Sequence, residues 1–289
     1  MSAASAASFN HMPDETAATI PPEPSEIFKK RAARLHCLST GHAIGKYLKT
    51  MARLAEAQLA ASRIIPSTTG EIVTQASSLN ACYHTYGEVW HKVFNLIVSE
   101  MQGFPLPERS QATLSRLKST IPALLEYSAQ TIVCGSEDAV DLAASPFLAA
   151  ALQVYWTDLA SRIKPETAER LANVCPMCGS PPVAGVILSG RKLRYLCCSL
   201  CATHWNFPRL VCTHCGSTEG ISYFAVDGHE DGGKAEACGR CNTYLKLFYL
   251  ESNPEAEAFA DDLATLPLDL LMSDRSYSRS GINLFLIGR

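Results

Sequence analysis

The sequence predicts a multidomain protein of α plus small β class: a helical domain, two tandem four-cysteine metal modules of zinc-ribbon type, and a C-terminal helix. Three observations carry this reading. Apolar residues recur at helical spacing from Ser25 to about Leu171, eight cysteines then fall into four C-x-x-C pairs, and an apolar stripe follows Asn253-Pro254. At 289 residues with 47% apolar content the chain is long enough for a large core or two domains.

The first segment, residues 1–24, is rich in Ala, Ser, Thr and Pro, holds no Lys or Arg, and carries acids at Asp14, Glu15 and Glu23. A secretory signal needs a basic start and an apolar core, and neither is present, so a disordered tail and a cytoplasmic protein are expected. No apolar run approaches the length needed to span a bilayer, so no membrane insertion is expected.

Helical periodicity fills residues 25–171. Ile44, Tyr47, Met51 and Leu54 form one stripe, Trp90, Phe94, Ile97 and Met101 a second, and Leu114, Leu117, Ile121 and Leu124 a third. Breaks at Gly41, Pro66, Gly70, Gly103 to Pro107, Cys134-Gly135 and Pro165 divide the region into five or six helices. Trp90, Trp156 and Tyr155 are expected in the core, and the Lys29, Lys30, Arg31, Arg34 cluster on a solvated face. His84, Glu88 and His91 would share a face of a continuous helix, but nothing completes a metal or proton-transfer site around them, so they read as a polar surface patch, as do His36 and His42. Cys37, Cys82 and Cys134 are far apart in sequence and read as buried small hydrophobes.

The cysteine region, Cys175 to Cys241, dominates the rest. Its pairs are Cys175/Cys178, Cys198/Cys201, Cys212/Cys215 and Cys238/Cys241. In such a turn both sulfurs reach one ion, and two turns joined by a hairpin complete a tetrahedral four-thiolate shell. Nineteen residues separate the first two pairs and twenty-two the last two, room for a hairpin, whereas ten separate the middle two. This predicts modules over 172–210 and 211–252, with a crossed pairing as the alternative. Strands are expected over Val183 to Leu188, Leu193 to Cys197, Ile221 to Val226 and Tyr244 to Leu250, with turns at Gly190 and Gly232-Gly233. Gly179 and Gly216 follow their knuckles, where a left-handed residue lets amides point at sulfur; Ala202 and Asn242 stand there in the other two, making the half-sites unequal. Ligand type admits zinc or iron, with zinc the default.

Cys197 adjoins a ligand position, and strand alternation turns it to the opposite face, so it reads as a packed thiol; His214 reads as an exposed turn residue. Beyond the modules, Asn253-Pro254 reads as an N-cap with proline in the first turn, and Phe259, Leu263, Leu266 and Leu270 as the stripe of a helix that Pro267 kinks or splits. Residues 253–289 are expected to pack on the body, with Asn283 to Ile287 docking as well.

The runs Cys175-Pro176-Met177-Cys178-Gly179-Ser180-Pro181-Pro182-Val183-Ala184 and Leu193-Arg194-Tyr195-Leu196-Cys197-Cys198-Ser199-Leu200-Cys201-Ala202-Thr203-His204-Trp205 resemble the formate dehydrogenase accessory protein (FdhE) family. So do Lys234 to Cys238, Tyr244-Leu245-Lys246, Asp261-Asp262-Leu263-Ala264 and Leu268 to Met272, and more loosely Gly41-His42 and Leu54 to Gln58. The resemblance implies a helical domain joined to two rubredoxin-like modules, with Cys175, Cys178, Cys198, Cys201, Cys212, Cys215, Cys238 and Cys241 as metal ligands, and it shifts the expected ion toward iron. It further implies a cytoplasmic, non-enzymatic factor that binds the catalytic subunit of formate dehydrogenase, itself a carrier of molybdenum or tungsten cofactor and an iron-sulfur cluster, before export. His204 departs from the family pattern, where an acid is expected, which puts a local surface contact in doubt.

Alternative functions remain. An iron-loaded pair of sites would suit electron transfer to the partner's cofactors. A nucleic-acid-binding zinc ribbon would use Arg191, Lys192, Arg194 and Arg209 with Tyr195 and Trp205, but the net charge of -3 opposes it, and no nucleic-acid partner is expected. A thiol-disulfide enzyme would need a βαβ context that is missing. The sequence leaves a homodimer open.

Overall fold

The computed structural model describes residues 17–66, 80–135, 141–163, 172–190, 192–226, 228 and 232–286. Among the described residues, six α-helices precede the cysteine region: α1 (Pro24–Ser39), α2 (Gly45–Ser62), α3 (Glu88–Gln102), α4 (Glu108–Ser119), α5 (Pro122–Cys134) and α6 (Ser145–Ser161). Proline sits in the first turn of α1, α5 and α6, where its missing N–H costs nothing. Helix α6 is apolar nearly all round and is buried accordingly, with Leu148, Leu152 and Trp156 packed among α2, α3 and α5. The stripe Trp90, Phe94, Ile97, Met101 lies wholly in the core. The stripe from Leu114 does not hold: α4 ends at Ser119, so Leu114 and Leu117 are buried while Ile121, the N-cap of the next helix, and Leu124 within that helix are exposed.

The C-terminal half is a single sheet with strand order β1-β4-β3-β2-β7-β6-β5. Its members are β1 (Thr19–Ile20), β2 (Pro182–Ile187), β3 (Arg194–Cys198), β4 (His204–Asn206), β5 (Ile221–Phe224), β6 (Lys234–Cys238) and β7 (Thr243–Tyr249), and β8 (Ser278–Arg279) pairs with β7 off this path. Each cysteine module contributes an antiparallel set, and the parallel pairing of β2 with β7 fuses the two sets edge to edge. The modules therefore share backbone hydrogen bonds instead of standing as separate ribbons. Four strands escaped the sequence reading because β1, β4 and β8 are only two or three residues long and β6, Lys-Ala-Glu-Ala-Cys, is poor in β-formers.

Of the expected N-terminal tail, residues 17–24 are ordered. Thr19–Ile20 pairs with β4, the Tyr195 hydroxyl donates to the Ala17 carbonyl at 2.9 Å, and Pro24 opens α1. The polar composition of this stretch hid the backbone pairing that holds it. The remaining tail, 1–16, lies outside the described residues, as do Gly70, Pro165, Arg191 and Ile287.

Beyond the sheet, Pro267 does split the last helix into α7 (Ala258–Ala264) and α8 (Leu266–Asp274). The start is later than expected: the Glu257 carboxylate, not Asn253, caps α7 by accepting from the Ala260 N–H. Leu284 and Phe285 are buried, and the Phe285 ring meets that of Phe259 at 5.7 Å.

One continuous apolar core runs from the helical body through the first cysteine module to α7. The second module has a small core of its own, Ala235, Ala237 and Tyr244 against Leu268 and Met272 of α8. Three isolated cysteines behave otherwise than expected. Cys37 is exposed, and Cys82 and Cys134 form a disulfide at the protein surface; proximity across 52 residues of chain is invisible to a sequence reading.

Candidate metal centre

The eight paired cysteines converge on two groups: Cys175, Cys178, Cys198 and Cys201, and separately Cys212, Cys215, Cys238 and Cys241. The pairing is first turn with second and third with fourth, not crossed. Hairpin geometry explains it, since β2 and β3 bring the first two turns to the same end of one antiparallel pair, and β5, β6 and β7 do likewise for the last two.

In the first group the sulfurs of Cys175 and Cys201 lie 3.6 Å apart and those of Cys178 and Cys198 3.4 Å. In the second, Cys212 and Cys241 are 3.6 Å apart and Cys215 and Cys238 3.8 Å. Four sulfurs about 2.3 Å from a central ion stand about 3.8 Å from each other, so both groups fit a tetrahedral four-thiolate shell.

The knuckles also supply amides to sulfur. Met177 N–H donates to Cys175 Sγ, Leu200 and Cys201 N–H to Cys198 Sγ, and His214 N–H to Cys212 Sγ, all at 3.4 Å. The residue after each knuckle is left-handed in all four: φ is 78° at Gly179, 58° at Ala202, 70° at Gly216 and 54° at Asn242. The half-sites are thus alike in backbone, and Ala202 accepts a conformation that its side chain disfavours. Thr203 and Thr243 repeat the likeness, each with its hydroxyl 3.1 Å from the sulfur of the cysteine two residues before.

Protonation in the first group follows from crowding. Burial pushes Cys175 and Cys198 up. Burial also opposes ionisation at Cys178, but hydrogen bonds from Cys175, Cys198 and Cys201 outweigh it and hold this thiol well below the usual range. In the second group, backbone hydrogen bonds from Cys241 and Arg240 overcome burial and lower Cys238 to about 7.

The groups differ in access. All four sulfur residues of the first are buried, at 0–2% exposure, whereas Cys215 is exposed and Cys241 half-buried in the second. The helical body seals the first: Ala81 N–H donates to the Cys178 carbonyl at 3.1 Å, and Gln153 Nε2 to the Ser199 carbonyl, inside the second knuckle, at 2.9 Å. Gln153 Oε1 accepts from Arg31 Nη1 at 3.0 Å and Gln58 Nε2 at 2.9 Å, and Arg31 also pairs with Glu257 at 3.2 Å. Arg31 is therefore buried, not solvated, and Arg34 is held by Asp261 through two bonds of 2.6 and 2.9 Å. The sequence reading missed this because the acids that bind these arginines lie more than two hundred residues away.

Cys197 belongs to neither group. It is buried, burial raises its thiol, and it lines a cavity of about 620 Å³ together with Cys37, Val186, Ala202 and His204. His204 stands opposite Cys197 in the β3–β4 register, and burial pushes its imidazole down to about 4. His214 is exposed. The patch of His84, Glu88 and His91 is not one face: α3 starts only at Glu88, His84 Nε2 meets Tyr155 Oη at 2.9 Å, and His91 pairs with Glu126 at 2.8 Å.

Two buried charge networks complete the region. Arg194 pairs with Glu236 across the modules, and Lys246, 2.6 Å from Asp269 and 3.3 Å from Asp262, shares those acids with Arg279. Charged residues inside apolar strands, Arg194 and Lys246, were the available signal. Among the described residues no helix is long and apolar enough to cross a membrane.

Comparison with known proteins finds matches along residues 16–286. Family models match in series: FdhE, N-terminal, over residues 16–173, the FdhE central domain over 174–209 and the FdhE C-terminal domain over 210–286. The chain is 37% identical to a Protein FdhE homolog of Serratia proteamaculans (strain 568) over 287 residues, covering 94% of this chain and 93% of the relative. It is also 37% identical to a Protein FdhE homolog of Stutzerimonas stutzeri (strain A1501), over 293 residues and 94% of each. The crystal structure of the FdhE protein from Pseudomonas aeruginosa superposes with a TM-score of 0.86 at 30% identity, covering 94% of this chain and 99% of that one. With three consecutive family models, full-length relatives and a matching fold, the chain belongs to the FdhE family.

Proposed function

We propose that this chain is an accessory factor for the assembly of active formate dehydrogenase, binding that enzyme's catalytic subunit in the cytoplasm before export and acting by binding, not by turnover. Family membership supports the target, and one observation supports the means: two four-sulfur groups at tetrahedral spacing are built into one sheet fixed to a helical body. In this reading Cys175, Cys178, Cys198 and Cys201 hold one ion and Cys212, Cys215, Cys238 and Cys241 another. Bound iron would supply a one-electron couple and zinc a redox-inert clamp.

The thiolates close the hairpins, because binding and folding are one equilibrium in modules this small. The helical domain 25–171, modules 172–210 and 211–252 and the segment 253–289 then present one surface, joined through Gln153 to Ser199 and through Arg194 to Glu236. Nucleic acid is left out of the proposal, since Arg194, the centre of the basic stretch, is buried in its ion pair. Electron transfer is the second reading, favoured by the exposure of Cys215 at the second site.

Affinity recovery of the tagged full chain from anaerobic cells, with elemental analysis, tests the proposal. Recovery of the catalytic subunit with about two ions per chain, and loss of the subunit from a Cys175→Ala/Cys178→Ala variant, is the expected result. Full formate dehydrogenase activity in cells lacking the chain would overturn it.

A further inference from the structure

The two four-cysteine groups share a knuckle design but not an environment. The first lies inside the main core, and its two knuckles are tied to the helical body through the carbonyls of Cys178 and Ser199. The second lies on the side of the sheet that ends in β5, the last strand in the order. Around it His214, Cys215 and Gly216 of the third knuckle and Gly239, Arg240 and Asn242 of the fourth are exposed. The small satellite core lies beside it, through Ala237 and Tyr244 on the strands that carry Cys238 and Thr243.

Within this second group the stabilising hydrogen bonds fall unevenly. Cys212 Sγ accepts from the His214 and Cys215 amides at 3.4 and 3.5 Å, Cys238 from the amides of Arg240 and Cys241, and Cys241 Sγ meets the Thr243 hydroxyl at 3.1 Å. Cys215 has its Cys238 neighbour at 3.8 Å and solvent on its outer side. Arg240, inside the facing knuckle, is exposed.

From this asymmetry we infer that the second site is a ligand-exchange site, at which an external thiol replaces Cys215 on the bound ion, while the first site is closed to exchange. The inference rests on the reading of both groups as metal sites. In the step, the external sulfur forms a bond to the ion, the bond from Cys215 Sγ breaks, and the proton of the incoming thiol passes to Cys215. No electron moves. Such a substitution needs the incoming sulfur to reach the ion and the departing sulfur to reach solvent, and exposure is what separates Cys215 from Cys175, Cys178, Cys198 and Cys201. The exchange gives the protein a means to form a mixed complex with a cysteine ligand or to pass its ion onward.

The test uses the full chain in a Cys37→Ser/Cys82→Ser/Cys134→Ser background, loaded with zinc and its ion content measured first. One arm adds reduced glutathione with a colorimetric zinc chelator, the other an apo four-thiol acceptor protein, and alkylated cysteines are mapped by mass spectrometry over time. The expected result is loss of one ion about tenfold or more faster than the other, with Cys215 the first cysteine alkylated. Exchange in the glutathione arm alone identifies a small thiol as the ligand, and exchange with the acceptor identifies a protein thiolate. Equal release of both ions, or first alkylation within Cys175 to Cys201, overturns the inference with the metal reading intact. A chain that takes up no ion at the outset overturns both.

Discussion

Arg194 and Glu236 form a buried ion pair between strands of different cysteine modules. The arginine also donates to the Val211 carbonyl at 2.8 Å in the connector and lies over the Phe207 ring at 4.8 Å, and Glu236 Oε2 accepts from the Tyr223 hydroxyl at 2.8 Å. One guanidinium thus fixes the first module, the connector and the second module in a single geometry. Removing one member of such a pair strands the other charge, so Glu236→Gln is expected to cost about 3–5 kcal/mol and Arg194→Met a similar amount. The double variant is expected to cost less than the sum. Urea unfolding of all four proteins in a double-mutant cycle measures this, and single variants within about 1 kcal/mol of the parent would remove the pair from the account.

The four left-handed residues after the knuckles make a separate prediction. A Cβ on Gly179 or Gly216 would meet nothing within 4 Å, so an alanine there pays in backbone conformation alone. Gly179→Ala and Gly216→Ala are each expected to lower stability by about 1 kcal/mol. Both should keep their ion, because Ala202 already holds the same turn at φ 58°. Thermal unfolding with metal analysis checks the pair of claims, and loss of the ion from either variant would show that the turn tolerates less than Ala202 suggests.

What could be read from the chain, and what could not, divides by distance. Knuckles, hairpins and the Pro267 break are local, set by residues within a few positions of each other, and the gaps between the C-x-x-C pairs pointed to the pairing the structure has while leaving a crossed one open. The parallel β2–β7 seam, the ordered strand at Thr19–Ile20 and the partners of Arg31 are set by residues far apart in the chain. Composition misled most where a buried charge was compensated: Arg31 and Arg34 look like a solvated helix start until Glu257 and Asp261 are brought against them. The difference in access between the two metal groups was equally hidden, since it depends on what covers each knuckle, not on the knuckle itself.

Asp262 gives a pH dependence with a definite sign. It is fully buried, and although burial opposes its charge, Arg279 and Lys246 outweigh this and hold the carboxyl below its ordinary value of 3.8. A depressed folded value means that the carboxylate stabilises the fold above the unfolded value and that this contribution is lost as pH falls through the folded one. Asp262→Asn is therefore expected to be less stable than the parent by a gap that stays constant from neutral pH down to about 4 and closes below it. Acid also releases thiolate-bound ions, but it does so in both proteins, so the difference isolates the carboxylate. Denaturant midpoints across the range provide the measurement, and a gap that widens in acid would reverse the sign of the argument.

Gln153 joins the helical body to the first metal group, and its removal should be felt at one site only. Its amide oxygen accepts from Arg31 and Gln58, and its amide nitrogen donates to the Ser199 carbonyl within the Cys198–Cys201 knuckle. Gln153→Ala leaves buried polar groups on three elements short of a partner, at about 1–3 kcal/mol for each group that water cannot reach. The second knuckle would then lose its anchor while the second group, with its own small core, keeps its surroundings. Release of the first ion should accelerate and that of the second should not change, as read by chelator kinetics with each ion assigned through alkylation of its cysteines. Equal acceleration at both sites would mean that Gln153 supports the sheet as a whole, and no change at either would mean that the Ser199 contact does not hold the knuckle.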